Sequence, residues 1–247
     1  MRSVWMLGFS IWVFTCRSQN LVPNSGFEIK DECPKQYTIG SKKWLIPSWY
    51  MPTKGTADYF NACTQIQVGV PQNFMGNCFA KDGQAYVGLI LLEDPPKDTL
   101  PQKSYFNYRE YLQTELIKPL EKDRRYLVRF HYSIASYSTY AINRLGFYFS
   151  KDQIKKRGAS KILYAKPQIA MDSTTINTER DNWVAVSDTF RAKGGERFLT
   201  IGNFYDDRHT KYVALDLSKL GSYLEKRIAT SRIAYYYMDM LLVEKLD

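Results

Sequence analysis

The sequence predicts an all-β protein, a two-layer β-sandwich, and three observations carry that expectation. The first is the stretch Ile233–Glu244, which is β-branched and aromatic and contains no Gly or Pro. Its odd positions (Tyr235, Tyr237, Asp239, Leu241, Val243) face one way and its even positions (Ala234, Tyr236, Met238, Met240, Leu242) the other. Apolar residues on both faces suit a central strand rather than a solvated edge. The second is Arg125–Ala135, the clearest alternation, with Tyr126, Val128, Phe130, Tyr132 and Ile134 on one face. The third is composition: 45% apolar and 15% aromatic residues in a chain of 247 supply a real core and exclude disorder.

Taken in order, the chain opens on a secretory signal. Arg2 precedes the apolar run Val4–Phe14, too short to span a bilayer, and Cys16–Ser18 offers a cleavage site. The expected organisation is a signal peptide over 1–18 and one domain over 19–247. An alternative has Cys16 as a lipid-anchored residue, since Val13 fits a lipobox although Phe14 and Thr15 do not. No later segment is apolar enough to cross a membrane. The expected location is therefore exported: periplasm, outer-membrane surface or extracellular.

Loss of Arg2 and Arg17 takes the formal charge from +9 to about +7. The basic pairs are scattered (Lys42–Lys43, Arg124–Arg125, Lys155–Arg157, Lys226–Arg227), which argues against a nucleic-acid stripe. Weak attraction to anionic envelope polymers is the functional alternative to a merely solvated surface. Export permits disulfides, and Cys33–Cys63 is the expected pair, closing a loop of about thirty residues and contributing about 3 kcal/mol. Cys78 is then a buried thiol or an intermolecular partner. With only His131 and His209, no Cys/His metal cluster is expected.

Asn20–Glu28 reads as an extended edge segment broken by Pro23 and Gly26. Residues 33–79 read as a long ordered loop region. Gln84–Leu92 is an apolar strand, and residues 105–120 hold a short helix or lead into a strand. Ala141–Phe149 is the next strand, and residues 161–180 a short strand plus polar loop. Asn182–Ala192 and Arg197–Phe204 flank Lys193–Glu196 as the best hairpin in the chain. Residues 205–223 read as a polar excursion. Arg109 and Glu110 read as a structural ion pair, and His131 as a structural strand histidine.

The opening Asn20–Glu28 (NLVPNSGFE) resembles the start of secreted β-jelly-roll modules of the galactose-binding-domain-like fold, which include many carbohydrate-binding modules. A nearer resemblance is to exported Bacteroidota proteins that form the N-terminal part of outer-membrane-protein-A-like envelope proteins. Gly55–Asn61, Asp82–Gly88, Tyr108–Gln113, Leu199–Phe204 and Tyr236–Asp239 extend it along the chain. The resemblance implies a jelly-roll β-sandwich with one or two short helices in its loops. It also implies a structural calcium between the first and last strands, for which Glu28 and Asp239 are the candidates.

Within the loop region, Trp49, Tyr50 and Tyr59 are candidate flat faces for sugar rings, and Asp58, Asn61 and Asn73 candidate partners for hydroxyls. No G-x-S-x-G, H-E-x-x-H or phosphate loop is present, and Asp206–Asp207 are adjacent rather than opposed. The expected function is a non-catalytic binding module for a glycan or cell-envelope polymer. The alternatives are an adaptor docking on an envelope protein and, third, a glycan hydrolase.

Overall fold

The structure is a computed structural model, and it describes residues 19–38, 43–65, 67–93, 107–156, 162–171, 174–218, 220–221 and 232–246. The signal segment and Cys16 lie outside the described residues. The strands are β1 (Trp49–Tyr50), β2 (Asp58–Asn61), β3 (Gln72–Asn73), β4 (Gly76–Asn77), β5 (Ala85–Glu93), β6 (Tyr111–Glu115) and β7 (Arg125–Ile134). They continue with β8 (Tyr140–Ile142), β9 (Gly146–Ser150), β10 (Ile169–Ala170), β11 (Val184–Arg191), β12 (Phe198–Gly202), β13 (Tyr212–Ala214) and β14 (Ile233–Lys245).

Two five-stranded antiparallel sheets form a jelly-roll β-sandwich. The first runs β1-β6-β12-β9-β10 and the second β11-β7-β14-β5-β2. β14 lies at the centre of the second sheet, between β7 and β5, as its two apolar faces require. The alternation of β7 puts Tyr126, Val128, Phe130, Tyr132 and Ile134 into the core between the sheets. There they meet Leu112 of β6, Phe147 and Phe149 of β9, and Leu199 and Ile201 of β12. The segment Asn20–Glu28 is not a sheet strand. It lies against β14, with Leu21 N donating to Val243 O at 2.7 Å and Leu241 N to Ser25 O at 3.0 Å.

β14 departs from the expected alternation at one residue. Ala234, Tyr236 and Met238 face the core between the sheets, while Ile233, Tyr235 and Tyr237 face a second apolar cluster on the outside. Past Met240 the rule inverts, and the odd residues Leu241 and Val243 face the inner core. The register explains it. Asp239 pairs with His131 but Leu242 with Arg129, so one extra residue is taken up at a β-bulge, where Met240 adopts φ 50°.

The Lys193–Glu196 turn is not a hairpin. β11 belongs to the second sheet and β12 to the first, so the turn carries the chain across the sandwich. Gly194 and Gly195, at φ 91° and 86°, supply the left-handed backbone for that crossing. The long loop region contains β1 to β4, residues 111–115 are strand, and the expected strand 141–149 is divided into β8 and β9. Of the expected short helices, the described residues show only Thr38 in 3₁₀ conformation. Cys33 and Cys63 form the disulfide. Cys78 is the buried thiol of the two alternatives, its pKa pushed up to about 12 by burial.

Candidate functional site

Strand alternation builds the site on the outer face of the second sheet. In β2 it turns Tyr59 into the inner core and Phe60 outward. In β5 it turns Val87 and Leu89 inward and Tyr86 outward. The outward residues stack as an aromatic layer: Phe60 lies 5.2 Å from Tyr86, 5.4 Å from Tyr237 and 5.7 Å from Phe74. Gly88 makes room for it, since a β-carbon there would collide with the Tyr235 ring. Tyr235 thereby reaches across β5 to donate from its hydroxyl to Asp58 Oδ2 at 2.8 Å.

Beside this layer lies a cavity of about 340 Å³ with a mostly apolar lining. Tyr37, Phe74, Tyr108 and Tyr235 give it aromatic walls, and Asp58, Glu93 and Glu110 bring three carboxylates to it. Two of the three are already filled. Asp58 accepts from Thr38 N at 2.7 Å as well as from Tyr235. Glu110 accepts from Thr56 N, Thr56 Oγ1 and Tyr108 Oη through Oε1, and from Ile90 N at 2.7 Å through Oε2. Burial pushes both pKa values up, and the charge of Asp58 adds to the shift of Glu110. Glu93 differs. It is half-buried at the end of β5, its pKa is raised by burial, and its carboxylate has no hydrogen-bond or ion-pair partner among the described residues.

Of the six expected ligand-binding residues, only Asp58 lines this cavity. Trp49 is sealed in the inner core, 5.1 Å from Phe27, with Nε1 donating to Pro23 O and Asn24 O. It is an anchor for the N-terminal segment rather than a platform. Tyr50 lies in the first sheet, on β1. Tyr59 is buried and donates to Phe27 O, while Asn61 holds the turn to Cys63 and bonds Tyr59 Oη. Asn73 is spent on two tyrosines, donating to Tyr86 Oη and accepting from Tyr237 Oη, each at 2.8 Å. Side-chain amides and phenols at these positions satisfy buried loops. The residues missed from sequence are Tyr37, Phe74, Glu93, Tyr108, Glu110 and Tyr235. Their signal was parity within β5 and β14, which places Tyr235 outward but says nothing of the loops above it.

Glu28 and Asp239 do come near one another, as expected, and the charge of Glu28 helps raise Asp239 to about 7, behind the larger effect of burial. Their oxygens face backbone N–H groups. Glu28 Oε1 accepts from Gln84 N at 2.8 Å and Ala85 N at 3.0 Å. Asp239 Oδ2 accepts from Lys81 N and Asp82 N, and Oδ1 from Met240 N at 2.7 Å. A hard cation needs six or more oxygens, whereas donors converge here. The arrangement does not fit calcium: it clamps residues 81–85 to the ends of the chain.

Arg109, Asp206, Asp207 and His209 are engaged with one another in the loops. Arg109 pairs with Asp207 at 2.8 Å rather than with Glu110, because adjacent residues leave the backbone on opposite sides. Asp206 bonds His209 instead, so the two neighbouring aspartates splay. His131 stands across from Asp239 in the strand register. Among the described residues, no group of three or more His, Cys, Asp or Glu is placed to hold a metal ion.

No protein-family model matches the chain, and no curated protein matches it. Solved structures do resemble it in part. The xylan-binding CBM22-1 domain of Paenibacillus barcinonensis Xyn10C is 11% identical, with a TM-score of 0.39 over 81% of this chain and 86% of that one. A cleaved adhesin domain of Lys-gingipain from Porphyromonas gingivalis is 10% identical, with a TM-score of 0.38 over 81% of this chain and 92% of that one. A second cleaved adhesin domain of the same protein is 12% identical, with a TM-score of 0.38 over 92% and 98%.

Proposed function

We propose that the protein is a non-catalytic, exported binding module that takes a sugar unit of a glycan or cell-envelope polymer into the cavity beside β5 and β14. One observation carries the reading: Glu93 brings a carboxylate with no partner among the described residues to a cavity walled by Tyr37, Phe74 and Tyr108. Flat rings suit the apolar face of a pyranose, and a partner-free acceptor suits its hydroxyls. At about 340 Å³ the cavity sits at the small end of the usual range of about 300–1,000 Å³ for ligand pockets. That size suits one or two sugar rings rather than a long chain.

The carboxylates argue for binding over hydrolysis. A glycosidase needs two carboxyl groups free to face one another across a bond. Asp58 and Glu110 instead spend their oxygens on Thr38, Tyr235, Thr56, Tyr108 and Ile90. Retention on a glycan array tests the reading. Glu93→Gln and Phe74→Ala should each weaken retention by about tenfold, the equivalent of about 1.4 kcal/mol. Unchanged retention in both variants would sink it. The adaptor reading draws on a different place, the exposed Tyr212 and Val213 of β13. A partner protein that co-purifies with the wild type and is lost from Tyr212→Ser would favour it.

A further inference from the structure

The outer side of the first sheet holds a second concavity, of about 930 Å³, between the end of β9, the segments 151–156 and 163–168, and the turn 193–196. Lys151, Lys156, Lys166 and Lys193 line it. All four are exposed, and none makes an ion pair among the described residues. Four lysines that lie apart in the sequence are therefore gathered here by the fold: β9 leads into Lys151 and Lys156, the segment before β10 brings Lys166, and the sheet-crossing turn brings Lys193. Four ammonium groups face two carboxylates, those of Asp152 and Glu196.

Two further features give the groove a chemical preference. Tyr164 stands at its lip, 76% exposed, with a ring face free for stacking. Glu196 is buried; its Oε1 accepts from Lys193 N at 2.8 Å, and its Oε2 has no hydrogen-bond partner. A buried acceptor without a donor is costly, and a ligand hydroxyl would satisfy it.

We propose that this groove binds an acidic polysaccharide, a chain of uronic-acid sugars. Its carboxylates sit against the lysines, a pyranose ring stacks on Tyr164, and a sugar hydroxyl donates to Glu196 Oε2. Nucleic acid matches the lysines and the tyrosine but not the floor. Its backbone is rich in acceptors and would meet Asp152 and Glu196 as like charges, whereas a sugar chain carries donors all along its length. This site is separate from the cavity beside β5 and does not depend on it.

Affinity electrophoresis through gels containing polygalacturonate tests the proposal with the full chain. The wild type should be retarded, and the Lys151→Gln, Lys166→Gln double variant should bind about tenfold more weakly. Tyr164→Ala should weaken binding severalfold, and raised salt should weaken it in the wild type because the lysines are exposed. All three positions are on the surface, so folding is retained and circular dichroism confirms it. Equal retardation by the fully methyl-esterified polymer, or by the double variant, would overturn the proposal. So would tighter binding of single-stranded DNA or of anionic phospholipid vesicles than of polygalacturonate. Glu93→Gln should leave polygalacturonate binding intact, which keeps failure here distinct from failure of the cavity reading.

Discussion

On the outer face of the second sheet, Tyr86, Tyr235 and Tyr237 lie under a further layer of chain and are 0–1% exposed. On the outer face of the first, a smaller cluster of Tyr111, Leu163 and Phe204 adjoins a groove edged with free lysines. The same kind of strand surface has been finished in two ways. The covered face converts its aromatic residues into stability, leaving only a small cavity at its margin. The open face leaves charged groups facing water. Aromatic abundance in this chain therefore marks where layers are glued together, and function has to be sought at the margins of the glue.

The sharpest way to break that comparison is to truncate one aromatic residue on each face. Phe60→Ala should cost about 3–5 kcal/mol in urea denaturation, because Phe60 is fully buried among Phe74, Tyr86 and Tyr237. Phe204→Ala, in the smaller cluster, should cost clearly less. Equal losses would mean that both faces are cores of the same weight.

A smaller effect separates the clamp at the chain ends from an ion site. Asp239→Ala strands the amides of Lys81, Asp82 and Met240 and should cost about 2–3 kcal/mol. Chelation of divalent ions should leave the melting temperature of the wild type unchanged. A drop on chelation would restore calcium to Glu28 and Asp239.

The smallest effect concerns pH. Asp58 is raised to about 6 in the fold by burial, so the folded state holds its proton more firmly than the unfolded chain does. Its contribution is fully present below the ordinary carboxylate value of about 4 and is lost as pH rises through about 6. Melting temperature should therefore fall across that window, and Asp58→Asn should make the fall shallower. Parallel curves for the two proteins would show that Asp58 ionises normally in the cavity wall.

Much of the frame was legible in the sequence because β7, with one face more exposed, alternates, while β5 and β14, buried on both faces, read as long apolar runs. β5, β7 and most of β14 could be placed in this way, and the spacing of Cys33 and Cys63 suited a bridge. The sites were less legible, for an identifiable reason. Trp49, Tyr59 and Asn73 have the side chains a sugar site wants, but those same rings and amides also satisfy buried loops, and composition cannot separate the two uses. Glu93 gave no signal because its significance lies in the absence of a partner. The lysine groove was hidden because its members come from three separate stretches that meet only after the turn at Gly194 and Gly195 sends the chain from one sheet to the other.

Met240 carries a consequence for how changes in this strand will be felt. Residues 235, 237, 241 and 243 share parity, yet the first two answer to the loops outside and the last two to the hydrocarbon interior. One inserted step thus lets a single ribbon serve two unrelated environments, each free to drift without dragging the other. Deleting Met240 would restore a uniform rhythm with Leu241 and Val243 still facing inward, whereas pairing the strand without its extra residue looped out would turn both of them outward.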